Sequence, residues 1–444
     1  MLECYKLERD AIRAISPDVP ITTNLMGTFP HLNYRQWARE MDVVSWDCYP
    51  RPNAAPSDIA FLHDLTRGLK DGRPFMLMEQ TPSSQNWQPI NALKRPGVLR
   101  LWSYVALAHG ADTIMYFQWR RGRGGCEKFH GAVVEHGGRS DTRVFREVAD
   151  LGAELARLGD ATLGATTPAR VALLFDWENW WSIDAAVGPV QDKAYVDTVR
   201  RHYGSLWRRG LSVDIVFADS DLAGYDLLVA PMLHMVTPDM AERIAGLVER
   251  GGTFVTTYFS GVVDDTNLAH AGYPGPLSDV LGIWVEEIDA LYPGQTNQLV
   301  LADGGARYDC GRLCEIIHAD SAEVLATYGS DFYAGTPALT RNRFGRGQAY
   351  YIASDPADGF LDDLYGTLAA HQGIAAPLAT PDGVEVAVRE TAQSTILILL
   401  NHTEASQSVE LPDGQSYDDL LRGGVAAGAL ELGPRDVRIL RQPR

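Results

Sequence analysis

Residues 75–82 read Phe75-Met76-Leu77-Met78-Glu79-Gln80-Thr81-Pro82, four apolar residues that run straight into a carboxylate and stop at a proline. A short apolar run closed this way fits a buried strand, because proline drives its predecessor into extended geometry and cannot continue a ladder. An acidic residue at such an end is either a surface charge or a positioned chemical group. Three more segments follow the same plan. Strands at 20–25, 42–49 and 112–119 end in Asn24, in Asp47 and Tyr49, and in Gln118 and Trp119. Helical patterns at 34–41, 58–69 and 97–109 separate them, a looser one covers 1–16, and another fits 142–158. Repeated strand–helix order means a parallel sheet, open or closed. A closed (β/α)8 barrel carries its chemistry at the C-terminal strand ends and needs eight strands over about 250 residues. The first 158 residues hold the pattern of half a barrel.

Beyond that the expected organisation is a linker at 159–169, an open α/β domain over 170–375 and a small β-sandwich over 376–444. In the second region strands fit 171–175, 213–217, 227–230, 253–257 and 349–352, with helices at 194–209, 239–250 and 360–371. Residues 260–345 read as irregular insertions. Short strands are expected at 384–389, 395–401, 408–411 and 436–441.

Composition narrows the function. The chain has 444 residues, 45% hydrophobic and 22% charged, as in ordinary globular proteins. Lys and Arg number 39 against 57 Asp and Glu, a formal charge of −18, which disfavours nucleic acid and anionic membranes as partners. Five scattered cysteines suit a reducing compartment. The charged N-terminus does not read as a signal peptide and no apolar run reaches the ~20 residues of a bilayer span, so a cytoplasmic location is expected.

Three clusters could carry chemistry. After Glu79, the loop Ser83-Ser84-Gln85-Asn86-Trp87-Gln88 combines an indole with amide side chains, an inventory suited to a sugar. Next, Tyr116-Phe117-Gln118-Trp119-Arg120 precedes Cys126-Glu127-Lys128-Phe129-His130-Gly131. Glu127 and His130, three apart, could face one way from a helical turn and bond a neutral polar ligand. They are a weak metal pair without a third donor, and satisfied loop residues are the plain alternative. Third, Tyr49 in Ser45-Trp46-Asp47-Cys48-Tyr49-Pro50 could hydrogen-bond a catalytic carboxylate or simply pack at the sheet rim. Cys48 has no histidine close in sequence to make it a nucleophile. Cys310, Cys314 and His318 recur every four residues but lack a fourth ligand.

The strings MEQTP (78–82), NWQ (86–88), FQWR (117–120) and EKFHGAVVEHGG (127–138) closely resemble glycoside hydrolase family 42 β-galactosidases. So do VALLFDWENWW (171–181) and DFYAGTPALTRNRFGRGQAYYIAS (331–354), and the resemblance spans essentially the whole chain. It implies a barrel, an α/β domain making homotrimer contacts and a small β domain, and hydrolysis of β-galactosides with retention and without an organic cofactor. Glu79 resembles the nucleophile at the seventh barrel strand, Tyr49 the tyrosine beside it, and Trp87, Phe117, Glu127 and His130 the galactose contacts. In that family the acid/base glutamate follows an asparagine on the fourth strand, and no Asn-Glu dipeptide occurs here. The expectation is therefore a chain that starts in the helix after strand four. It would hold strands five to eight and be inactive or nearly so alone, unless an N-terminal half-barrel complements it. Zinc, bound by some members in that first half, is not carried over. A non-catalytic oligomerisation or carbohydrate-binding remnant is the alternative. The second domain resembles amidotransferase-like folds, but 127–309 contains no cysteine to serve as their nucleophile. For Trp177, Trp180 and Trp181 with Glu178 the resemblance implies a place at a domain contact or near a neighbouring subunit's site, and packing is the expected role.

Overall fold

The computed structural model describes residues 1–444. Two compact units emerge, one of 1–168 together with 376–444 and the other of 169–375.

The first unit opens with α1 (Leu2–Ile15), followed by β1 (Asn24–Leu25), α2 (Tyr34–Glu40), β2 (Ser45–Asp47), α3 (Pro56–Gly68), β3 (Phe75–Glu79), α4 (Val98–Ala108), β4 (Ala111–Ile114) and α5 (Arg143–Leu158). The four strands pair in parallel in the order β1-β2-β3-β4. Helix starts follow local chemistry. Asn33 and Thr142 accept from the backbone N–H of Gln36 and Phe145, and α3 begins on Pro56, whose missing N–H would be unpaired there anyway. Helix α4 is buried nearly all round, with Leu99, Tyr104, Val105 and Ala106 at 1% exposure or less. Each such large apolar side chain contributes about 1.5–3 kcal/mol by leaving water. Helix α1 differs: Tyr5 is buried, while Leu7, Ile12 and Ile15 stay exposed. The fourth strand, expected to reach Trp119, ends at Ile114, and the chain continues as a loop held by Met115 N–H to Leu77 O and Phe117 N–H to Gln80 O.

In the second unit, β5 (Val171–Leu174), α7 (Tyr195–Arg208), β6 (Val213–Val216), β7 (Leu227–Ala230), α8 (Pro238–Glu249) and β8 (Thr253–Thr257) follow the sequence reading, and a further helix α6 (Trp177–Ala185), not expected from it, stands between β5 and α7. The region 260–345, read from sequence as irregular, instead contains α9 (Ser278–Leu281) and five antiparallel-paired strands: β9 (Ile283–Ala290), β10 (Asn297–Leu301), β11 (Arg307–Ala319), β12 (Glu323–Tyr328) and β13 (Pro337–Phe344). Strands β14 (Gly347–Ile352) and β15 (Ser354–Pro356) and helix α10 (Asp358–His371) complete the unit. Parallel pairing runs β6-β5-β7-β8-β14, which in chain order is 2-1-3-4-5, the order of flavodoxin-like sheets, and the antiparallel strands extend it beyond β14. Trp177 lies in this core against Phe175 and Phe217, whereas Trp181 is 39% exposed. On β11, Cys310 and Cys314 are buried while His318 stacks on Trp284 and bonds Glu286. No group of three or more His, Cys, Asp or Glu side chains is gathered so as to hold a metal ion.

Residues 376–444 return to the first unit. Strands β16 (Val384–Glu390) and β17 (Ser394–Asn401) precede β18 (Gln407–Glu410), β19 (Tyr417–Asp419), β20 (Val425–Ala426), β21 (Ala429–Leu432) and β22 (Val437–Pro443). They form a sheet β16-β17-β22-β19-β20 and a separate β18-β21 pair around one apolar core that includes Leu399, Val409, Leu432 and Leu440.

Within this unit a buried polar chain joins the two stretches of sequence. His109 at the end of α4 bonds Asp64 through Nδ1 at 2.9 Å and Glu385 through Nε2 at 2.6 Å. Glu385 also meets His402 at 2.8 Å, and Asp64 meets Arg67 at 2.9 Å. Burial works against charge on His109, yet Asp64 and Glu385 outweigh it and push the imidazole up to about 10. Burial would raise Glu385, but His109 and His402 hold it well below the usual carboxylate range. Gly110 is required beside this chain, since its φ is +119° and a Cβ there would lie 3.0 Å from Arg67 Cδ.

The signs give a pH window. A raised His109 stabilises fully below its unfolded value near 6.5 and loses that contribution as pH rises toward 10. A lowered Glu385 stabilises above about 4.5 and loses it as pH falls. Glu385→Ala, which strands a buried imidazolium, is expected to cost about 3–5 kcal/mol. In thermal melts its Tm deficit should be largest between about pH 4.5 and 6.5 and shrink on either side; a deficit independent of pH would contradict the assignment.

Candidate active site

At the C-terminal ends of β1, β2 and β3, three polar side chains converge. Asn24 Nδ2 donates to Asp47 Oδ2 and to Glu79 Oε1, each at 3.1 Å. Tyr49, two residues beyond β2, donates its hydroxyl to Glu79 Oε2 at 2.6 Å. Each Glu79 oxygen thus holds one donor, which fixes the carboxylate plane. Burial first, and then the Glu79 hydrogen bond and charge, hold the Tyr49 phenol far above its ordinary value, so it is a donor throughout the working range. Burial, followed by the charge of Glu79, pushes Asp47 up to about 7 despite the Asn24 bond.

An aromatic cluster forms around Tyr49 and His130. Trp87 and His130 stack with centroids 5.3 Å apart and planes 24° apart. Tyr49 meets both edge-on, at 4.9 Å from Trp87 and 5.8 Å from His130, and Phe117 meets His130 edge-on at 5.0 Å. His130 is fully buried and bonds the Gly131 carbonyl through Nδ1, while its Nε2 has no partner. A buried ring nitrogen left unpaired is a ready hydrogen-bonding point for a polar ligand. Trp87, by contrast, is half exposed, presenting a free indole surface. Glu127 is exposed on the same loop, three residues before His130, and its carbonyl accepts the His130 N–H at 2.9 Å.

The loops are held by backbone rather than by secondary structure. Gln85 Nε2 donates to the Tyr49 and Pro50 carbonyls, Gly131 N–H to Ser84 O at 2.8 Å, and Asn86 to Cys126 O at 3.3 Å. Lys94 is buried, donates to Thr81 O and lies 4.9 Å over the Trp102 ring; burial lowers its pKa to about 7. Gly131 has no room for a side chain, because a Cβ would fall 2.1 Å from Ser83 Oγ.

The geometry therefore brings Glu79, Tyr49, Trp87, Phe117 and His130 together, with Glu127 at the margin. Asn24 and Asp47 were not singled out as site residues by the sequence beyond their strand-end positions, yet both touch this carboxylate network. The 4.0 Å separation of Cys48 Sγ and His63 Nε2 is buried, and burial raises the thiol to about 12, which leaves it unreactive.

Comparison with known proteins is consistent across the chain. Family models described as "Beta-galactosidase", "Beta-galactosidase trimerisation domain" and "Beta-galactosidase C-terminal domain" match residues 1–158, 169–375 and 383–442. The chain is 51% identical to β-galactosidase BgaP of Planococcus sp. (strain L4), over 99% of its own length and 66% of that protein's. It is 42% identical to β-galactosidase BgaB of Geobacillus sp. (strain Y412MC61), covering 100% and 66%. Among solved structures, a β-galactosidase from Bacillus circulans sp. alkalophilus superposes with a TM-score of 0.97 at 50% identity, over 99% of this chain and 66% of that one. The chain belongs to the glycoside hydrolase family 42 β-galactosidases. It spans about 66% of the length of these relatives.

Gly131→Ala is expected to force the Ser83 and Gly131 loops apart and cost about 1–3 kcal/mol of stability. Adding Ser83→Ala, which removes the nearest clashing atom, should restore part of it in denaturant melts; strict additivity of the two changes would refute the contact.

Proposed function

We propose that these 444 residues carry the nucleophile half of a retaining β-galactosidase site. The observation that carries this reading is the Glu79 carboxylate, gripped by Tyr49 and Asn24 at the end of a parallel strand, with Trp87 and His130 packed edge-on against that Tyr49. In the reaction, Glu79 attacks the anomeric carbon as the bond to the leaving oxygen breaks, passing through an oxocarbenium-like state to a galactosyl-enzyme that water hydrolyses. Trp87 and Phe117 pack against the sugar's C–H surface, and His130 Nε2 and Glu127 bond its hydroxyls.

Four parallel strands are read as strands five to eight of a (β/α)8 barrel over 1–158, joined by a linker at 159–169 to an α/β trimerisation domain over 170–375 and a β-sandwich over 376–444. The acid/base glutamate lies outside the 444 residues, in keeping with the 66% of the relatives' length that the chain spans. Retaining hydrolysis needs two carboxyls about 5–5.5 Å apart on either side of the bond, and loss of acid assistance costs about 10²–10⁴-fold. The match to a trimerisation domain supports assembly as a homotrimer.

The test is hydrolysis of an activated aryl β-galactoside by the chain alone, beside Glu79→Ala. The expected outcome is no turnover above the control, with turnover restored when a segment supplying the first four strands is added. In the restored enzyme, Tyr49→Phe removes one donor to the carboxylate and should lower kcat about 10²-fold. Unassisted turnover that Glu79→Ala abolishes would show that the site is complete without that segment.

A further inference from the structure

The β2–β3 ladder contains a shift. Ser45 pairs with Met76 and Trp46 with Leu77, but Asp47 pairs with Glu79, so Met78 is passed over. An unshifted register would set Asp47 opposite Met78. The bulge instead places two carboxyl side chains side by side at the mouth of the sheet. Asn24 alone bridges them, with one amide nitrogen to Asp47 Oδ2 and Glu79 Oε1. Glu79 has a second donor in Tyr49, whereas Asp47 Oδ1 is enclosed and has no partner at all.

An ionised Asp47 would leave a buried, unpaired oxygen beside a second negative charge, and two carboxylates sharing one site do not both ionise readily. We propose that Asp47 is a positioning residue that carries the proton of this pair on Oδ1 and, through Asn24, keeps Glu79 oriented as the charged partner. Its catalytic meaning rests on the reading of Glu79 as nucleophile. Tyr34 of α2 and Cys48 and Tyr49 of the adjoining stretch also act on or respond to this charge, and all three are held neutral by burial. The shift of Asp47 to about 7 has the same direction, with burial first and then Glu79 favouring the proton.

The experiment is a ¹³C NMR titration of the chain with side-chain carboxyls of Asp and Glu labelled. One Asp signal should inflect near pH 7 and vanish in Asp47→Asn. The Glu79 signal, identified by its loss in Glu79→Gln, should move at the same pH in the wild type and not in Asp47→Asn. Asn24→Ser, on an exposed side chain, provides a second variant: it should weaken the Glu79 response and move the same Asp signal. The proposal is overturned if no Asp signal inflects above the ordinary carboxyl range, or if Glu79 is indifferent to both substitutions. A fluorinated galactosyl inactivator, applied to the enzyme restored with its first four strands, separates the two readings. A titrating Asp47 with no label on Glu79 sinks the nucleophile reading alone; a labelled Glu79 without the titration sinks the role of Asp47.

Discussion

The site depends on one passed-over residue. Because Met78 drops out of the β2–β3 ladder, Asp47 and Glu79 share a level on adjacent strands, and the amide of Asn24 on β1 spans both. Parallel strands at about 4.8 Å spacing place successive strand ends side by side, so polar residues there compete for the same donors and the same proton. Tyr49 then decides the competition in favour of Glu79 by supplying it with a second donor. The aromatic cluster follows from this, because Tyr49 is also the ring against which Trp87 and His130 pack.

Holding a short sheet of two- to five-residue strands rigid is a separate problem, met by burial around α4 and by charge below it. The chain Arg67–Asp64–His109–Glu385 alternates sign along its length, with His402 hydrogen-bonded at its end, so each charged member offsets the desolvation of its neighbours. Such a chain is costly when one member is removed, since the remainder is left charged and dry. Arg389, buried on β16, adds bonds to the Leu107 and Ala165 carbonyls. These contacts tie the first and last stretches of the sequence into one unit, consistent with their clustering together.

Much of this was legible in the sequence, and the rest was not for identifiable reasons. Strand 75–79 and the helices between strands follow from continuous apolar runs and 3.6-residue periodicity, which survive any tertiary detail. The antiparallel strands of 283–344 were missed because their faces are half exposed: Glu286 and Glu287 interrupt β9, and Arg307, Asp309 and Arg312 interrupt β11, so the pattern mimics a loop. Asn24 sits on a two-residue strand too short to show periodicity. His130 was singled out through its spacing from Glu127 and by family resemblance, but its stacking on Trp87 was not legible, since that contact joins residues 43 positions apart and depends on the Gly131–Ser83 approach.

Division of labour between the two carboxyls then has a physical origin independent of any particular substrate. A nucleophilic carboxylate must stay ionised and oriented yet remain free enough to form a bond, so its donors should be few and directional. Two donors, one per oxygen, meet that requirement for Glu79 in its proposed role. A nearby ionised Asp47 would draw Asn24 away and add repulsion, whereas a protonated one leaves the amide shared and the charge local. On the proposed reading of Glu79 as nucleophile, an ester formed there would carry no charge to repel an ionised Asp47. The bulge at Met78 is what sets the two carboxyls side by side.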